Sequence, residues 1–145
     1  MALIWTIGSE ASAEDLDAIS AAVISHGRSK AIDGRAQPIA CLVRDGEELV
    51  AGGSGRTEYT RLFVNYLWVA EDRRRQGLAR RILRELESEA ARRGCHDSII
   101  ETLDDEVAAL YERLGYRSVA HLPHYVGRFN RHIMLKVGLV FHGAS

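Results

Sequence analysis

Residues 62–93 read LFVNYLWVAEDRRRQGLARRILRELESEAARR, and this stretch decides the fold. Residues 62–69 are nearly all apolar and β-favouring, the pattern of a central strand buried on both faces. Asn65 is the strongly polar exception. A charged run, Glu71-Asp72-Arg73-Arg74-Arg75-Gln76-Gly77, follows it. After that run apolar residues fall at 78, 79, 82, 83, 86 and 90, the spacing of one helical face. A charged loop therefore joins a buried strand to a long helix.

That junction can be read in two ways. A helix N-terminus exposes unpaired backbone N–H groups and the positive end of the helix dipole, so it can receive a phosphate. The arginines add charge, and Gly77, lacking a side chain, lets the main chain approach a ligand. The plainer reading is a glycine break beside a solvated basic face.

Working outward, residues 98–103 (SIIETL) form the next strand, and a helix over 78–93 that links two strands makes them parallel neighbours in a right-handed crossover. Asp104, Asp105 and Glu106 offer a cap and first-turn carboxylates for a helix over 107–114, closed by Gly115. Residues 116–122 and 130–137 fit two final strands. Upstream, 39–44 and 49–54 read as a hairpin around Asp45-Gly46. Gly52, Gly53 and Gly55 signal a bulge, a close backbone or ligand approach, or a flexible edge. Residues 3–7 (LIWTI) read as a first strand, and Ser12 caps a helix that ends near Gly27. Residues 29–38 are polar and irregular, a loop or short helix, and the tail after Lys136 is uninformative.

A chain of 145 residues suits one domain spanning 1–145. With 46% hydrophobic and 27% charged residues it can build one sizeable core. A formal net charge of −1 gives no global field for nucleic acid or anionic membrane. The local arginines at 73–75, 80, 81 and 84 are diluted by Glu71, Asp72, Glu85, Glu87 and Glu89, so no nucleic-acid partner is expected. Cys41 and Cys95 are too few for a zinc site and fit buried free thiols, and the six histidines share no ligand spacing, so no metal is expected. Neither an export signal nor a membrane span is evident, which implies a cytoplasmic protein.

Arg74-Arg75-Gln76-Gly77-Leu78-Ala79 resembles the (Gln/Arg)-x-x-Gly-x-(Gly/Ala) signature of the GNAT superfamily of acyl-CoA-dependent N-acetyltransferases, at the expected strand-to-helix junction. Leu110-Tyr111-Glu112-Arg113-Leu114-Gly115-Tyr116 resembles that family's Leu-Tyr-x-x-x-Gly-(Phe/Tyr) segment, with one strand between the two. The resemblance covers almost the whole chain, apart from a usual second helix not found between Ser29 and Pro38. It implies an α/β (α+β) fold: a mixed, mostly antiparallel twisted sheet of about seven strands with a parallel, splayed central pair, flanked by helices.

The resemblance implies acetyl-CoA as co-substrate and direct transfer to an amine. In the family's manner, the backbone of Gln76, Gly77, Leu78, Ala79 and Arg80, helped by Arg74 and Arg75, would cradle the diphosphate. Backbone groups of Leu67, Trp68 and Val69 would meet the thioester carbonyl and the pantetheine arm. Tyr111 holds the family's tyrosine position and is assigned as general acid to the departing thiolate, since a phenol at ~10 can protonate a thiolate near ~8.5. Glu101, the charged residue inside its strand, is the first candidate base and Glu58 the second; Tyr59 or Asn65 holding a water is a further possibility. Where the family often has asparagine, this chain has Asp104, which the resemblance makes a candidate coenzyme contact; an ionised aspartate cannot donate as an amide does, and the same residue suits a helix cap. The acceptor is a small-molecule or protein amine that carries no signature here. The fold is compatible with a homodimer. The alternative reading is a non-catalytic CoA-binding sensor or docking module.

Overall fold

The computed structural model describes residues 2–30 and 35–143, and the chain gathers into two units, residues 1–34 and 35–145. In the first, α1 spans Ala13–Lys30, and Ser12 caps it as expected, its Oγ accepting from the Asp15 N–H at 3.0 Å. The helix passes through Gly27 instead of stopping there, because Gly27 does not adopt the left-handed conformation that ends a helix. Residues 3–7, expected as a strand, form none. Among the described residues of their unit there is no second strand whose backbone could pair with them. Of the irregular stretch 29–38, residues 31–34 lie outside the described residues.

The second unit runs β1 (Gln37–Asp45), β2 (Glu48–Glu58), β3 (Arg61–Val69), a 3₁₀ turn (Glu71–Arg73), α2 (Leu78–Arg92), β4 (Asp97–Thr102), α3 (Asp105–Arg113), β5 (Arg117–Val126) and β6 (Phe129–Val137). Among the described residues the sheet has six strands where about seven were expected, in the order β1-β2-β3-β4-β6-β5. β3 and β4 are its parallel pair, and every other neighbouring pair is antiparallel. Pro38, with no N–H to donate, is tolerated because β1 is an edge strand.

One face of the sheet carries the core. Ile82, Leu83, Leu86 and Ala90 of α2 bury against Leu62, Val64, Ile100 and Met134, joined by Ala108, Tyr111 and Tyr116. Each large aliphatic side chain so buried contributes about 1.5–3 kcal/mol. Gly53 is what lets α2 sit so close, since a Cβ there would stand 2.9 Å from Ile82 Cγ2 and 3.0 Å from Leu86 Cδ1. Inside this face Glu87 is buried and held twice. Lys136 Nζ donates to its Oε1 at 2.8 Å, and the Tyr116 hydroxyl donates to its Oε2 at 2.9 Å. The phenol has one proton, so Ser98 Oγ, also 2.9 Å away, donates to Tyr116 in turn. Burial, and then the Glu87 charge, push the Tyr116 phenol far above its ordinary range.

The tail beyond β6 folds back along this face. The Gly138 and Leu139 N–H groups donate to the His96 carbonyl at 2.9 and 3.1 Å, and the His142 N–H donates to Ser88 Oγ at 3.0 Å. Cys95 is buried and Cys41 partly so; both are free, and burial raises both thiols above their usual range.

Candidate active site

The parallel pair is closed at one end and open at the other. β3 and β4 pair from Arg61 opposite Asp97 to Val64 opposite Ile100, and there the ladder stops. β3 runs on to Val69 with β2 on one side, Leu67, Trp68 and Val69 facing Gly53, Gly52 and Ala51. β4 runs on to Thr102 with β6. The two strands therefore diverge from Asn65 onward.

A bulge marks the divergence. Ser54 pairs with Tyr66 and Gly55 with Val64, so Asn65 is the extra residue on β3. Gly55 makes this possible: a Cβ at that position would lie 1.8 Å from the Phe63 carbonyl oxygen, which no rotamer change relieves. Of the readings open to the glycines at 52, 53 and 55, close backbone approach holds at Gly55 and close helix packing at Gly53.

Beyond Val69 the loop is tied down by its arginines. Arg74 Nε donates to the Val69 carbonyl at 3.1 Å, and Arg73 Nη2 meets Asp45 Oδ2 at 2.6 Å. Arg75 and Gly77 both have positive φ, 65° and 79°. For arginine this conformation stores about 1–3 kcal/mol of strain, of the kind found where a backbone is shaped for a ligand. Gly77 is the N-cap of α2, and no side chain caps the helix there. Arg81 N–H makes the first helical bond, to the Gly77 carbonyl at 3.1 Å. The N–H groups of Leu78, Ala79 and Arg80 precede it and have no helical acceptor. An uncapped N-terminus with nothing within 4 Å of a Cβ at Gly77 fits an incoming diphosphate.

Tyr111 lies on α3, its ring buried and tilted against Tyr116 with centroids 6.1 Å apart. Burial raises its phenol above the ordinary value. Among the described residues no hydrogen bond engages its hydroxyl, and no fully buried side-chain polar atom lacks a partner, so the oxygen reaches the surface of the core. Asp104 is the α3 cap, its Oδ1 accepting from Glu106 and Val107 N–H at 2.8 and 3.2 Å.

On the sheet face opposite α2, a cleft of about 430 Å³ opens where the strands part, lined by Arg56, Phe63, Asn65, Tyr66, Glu101 and Arg131 among others. The alternation of β3 and β4 explains the division: Leu62, Val64 and Ile100 are buried under α2, while Phe63 and Glu101 are not. Glu101 is ion-paired with Arg131, whose Nη1 also donates to the Tyr125 hydroxyl at 2.7 Å. Glu58 is not brought to the cleft with Glu101. It stands opposite Arg61 at the closed end and touches the cleft only through Arg56, whose Nε donates to its Oε2 at 3.2 Å. Tyr59 is in the turn at that same end, whereas Asn65 lines the cleft. Arg56 and Arg131 were missed in the sequence because neither belongs to a motif. Among the described residues no cluster suits a metal ion, and no helix is long and apolar enough to cross a membrane.

Comparison with known proteins agrees with this geometry. The model of the acetyltransferase (GNAT) family matches residues 9–116. Blasticidin-S acetyltransferase of Streptomyces morookaense is 34% identical over 90 residues, 61% of this chain and 66% of that protein. A crystal structure of a candidate acetyltransferase from Agrobacterium tumefaciens superposes with a TM-score of 0.86 at 25% identity, over 93% of this chain and 99% of that one. An aminoglycoside 6′-N-acetyltransferase complexed with coenzyme A does so with a TM-score of 0.61 at 26% identity, over 74% and 76%. A central strand that parts from its parallel neighbour, an uncapped glycine-led helix and a matching family model lead to one conclusion: the chain belongs to the acetyltransferase (GNAT) family of acyl-CoA-dependent acetyltransferases.

Proposed function

We propose that this protein transfers the acetyl group of acetyl-CoA directly to a primary amine, with no acyl group held on the enzyme. The observation that carries this reading is the parting of β3 from β4 beyond Val64 and Ile100, next to the uncapped start of α2. A thioester arm lying in the gap would find unpaired main-chain groups of 65–69 along one side. In the proposed arrangement the N–H groups of Gln76, Gly77, Leu78, Ala79 and Arg80 hold the diphosphate, with Arg74 and Arg75 supplying charge. Backbone N–H groups of Leu67 and Val69, which point away from β2 while that of Trp68 points toward it, pair with the arm and steady the carbonyl oxygen as negative charge develops on it; such donors are worth several kcal/mol.

Holding amine and thioester together supplies much of the rate. The amine must first lose a proton, since it is an ammonium below ~10. Glu101 is the carboxylate best placed for this task, directly or through a water held by Asn65. Tyr111 then gives its proton to the leaving sulfur. Its raised phenol stays protonated at neutral pH, as an acid must. Asp104 acts as helix cap and contributes no coenzyme contact in this scheme. A reducing cytoplasm fits Cys41 and Cys95 as free thiols.

The test is thiol release from acetyl-CoA with a panel of amines, blasticidin S included because a relative is named for it. Wild-type protein should release thiol with at least one acceptor. Tyr111→Phe should lower kcat about 100-fold while coenzyme affinity is kept. Tight coenzyme binding without turnover on any acceptor would favour a sensor or docking module instead.

A further inference from the structure

The cleft opposite α2 has a charge pattern that narrows the acceptor. It rests on the acyl-transfer reading above, but its chemistry is its own. Among its lining residues, Arg56 and Arg131 are cationic, Glu101 is anionic, and Asn65, Tyr66, Phe63 and Ile99 are neutral. Each guanidinium has one carboxylate partner, Glu58 for Arg56 and Glu101 for Arg131, so an acceptor that brings an ammonium together with a carboxylate matches the cleft charge for charge, whereas one that brings cations alone does not.

The two arginines are held differently. Arg56 engages Glu58 through Nε alone, at 3.2 Å, and its guanidinium lies over the Phe63 ring with Cζ 4.0 Å from the centroid. The stack keeps the guanidinium plane in place. Among the described residues its two terminal nitrogens have no side-chain partner, leaving a pair of parallel donors of the kind that matches a carboxylate. Arg131 has a partner on each terminal nitrogen, Nη1 with Tyr125 and Nη2 with Glu101. A second carboxylate in the cleft would compete for Arg131 and free Glu101 to face the acceptor ammonium.

We propose that the cleft selects a zwitterionic acceptor, a small amine bearing a carboxylate, with Arg56 reading the carboxylate, Arg131 assisting and Glu101 receiving the ammonium. Polycations are excluded by the same charges. The cleft of about 430 Å³ suits a molecule of amino-acid to dipeptide size, and Phe63, Tyr66 and Ile99 give it an apolar wall for a side chain.

The experiment uses the full chain and free α-amino acids, each paired with its carboxamide and its decarboxylated amine, with spermidine and an aminoglycoside as polycations. Thiol release from acetyl-CoA gives kcat/KM for each. The amino acid should exceed its carboxamide by at least ~10-fold, the scale of one charge-assisted bidentate contact. Arg56→Gln should remove that preference, with an unchanged far-ultraviolet circular dichroism spectrum and melting curve verifying that the variant is folded; Arg56→Lys should restore part of it. Equal rates for acid and carboxamide, or faster turnover of the polycations, would overturn the proposal. Calorimetric titration with the same compounds, without coenzyme, reads the cleft apart from catalysis. A protein that binds amino acids through Arg56 yet transfers no acetyl group refutes the acyl-transfer reading alone. Binding that does not depend on the carboxylate refutes this one.

Discussion

Arg61 and Asp97 face each other as the first register pair of the parallel strands and are joined by two hydrogen bonds, Nε to Oδ1 at 2.8 Å and Nη2 to Oδ2 at 2.9 Å. Four residues later the same strands have separated. The pair clamps the closed end of a sheet whose other end must stay open. The Arg61 guanidinium, through its hydrogen bonds, holds the Asp97 carboxyl below the usual carboxylate range. With Asp97 mostly sheltered and Arg61 more exposed, Asp97→Asn should cost about 1 kcal/mol, read as a lowered urea midpoint.

Gly55→Ala should be far more damaging than an ordinary strand substitution. The new Cβ meets the Phe63 carbonyl oxygen, a backbone atom, and the Asn65 bulge must shift to admit it. The expected loss is about 3 kcal/mol, measured by chemical denaturation. A neutral result would mean that the bulge does not depend on this glycine.

Much of this fold was legible in the sequence because its signals are local. The apolar run 62–69, the helical spacing from 78 to 90 and the cap at Asp104 each act on their own segment, and β3, α2, β4 and α3 lie within a few residues of the spans read for them. The parallel pairing followed from chain connectivity. The strand expected at 3–7 failed because an apolar pattern cannot supply the neighbour that a strand needs. The motif residues of the loop were visible for the same local reason. Arg56 and Arg131 were not, since their importance comes from a cleft formed by four strands meeting in space. Glu87 left one clue: it sits four residues after Leu83 on the apolar face of α2, where a charge needs a partner, though nothing local named Lys136 and Tyr116.

That buried carboxylate gives a further prediction. Lys136→Met leaves Glu87 without its cation and should cost about 3 kcal/mol, the range for breaking a buried pair. Adding Glu87→Gln should recover part of the loss, so the double variant is less destabilised than the sum of the singles. Simple additivity in thermal unfolding would show that the two groups do not depend on each other.

Acid stability should show the mark of Glu89. Hydrogen bonds from Arg92, then Arg93, lower its carboxyl from 4.5 to about 2. A carboxyl with a depressed folded value contributes stability that is present above the ordinary value and lost as pH falls through the folded one. The contribution should therefore be complete above pH 4.5 and fade toward pH 2. Glu89→Gln should be less stable than wild type at pH 6, with the gap closing between those limits. A gap that stays constant to pH 2 would mean that the arginines do not act through the carboxylate.

The central claim is that the main chain at the start of α2 and along the open edge of β3 receives the coenzyme. Hydrogen exchange of backbone amides, with and without saturating coenzyme A, tests it most directly. Protection should rise at 76–80 and at 65–69 and stay unchanged at 61–64, where the strands are already paired. Coenzyme that binds without protecting 76–80, or that protects a different surface, would contradict the account.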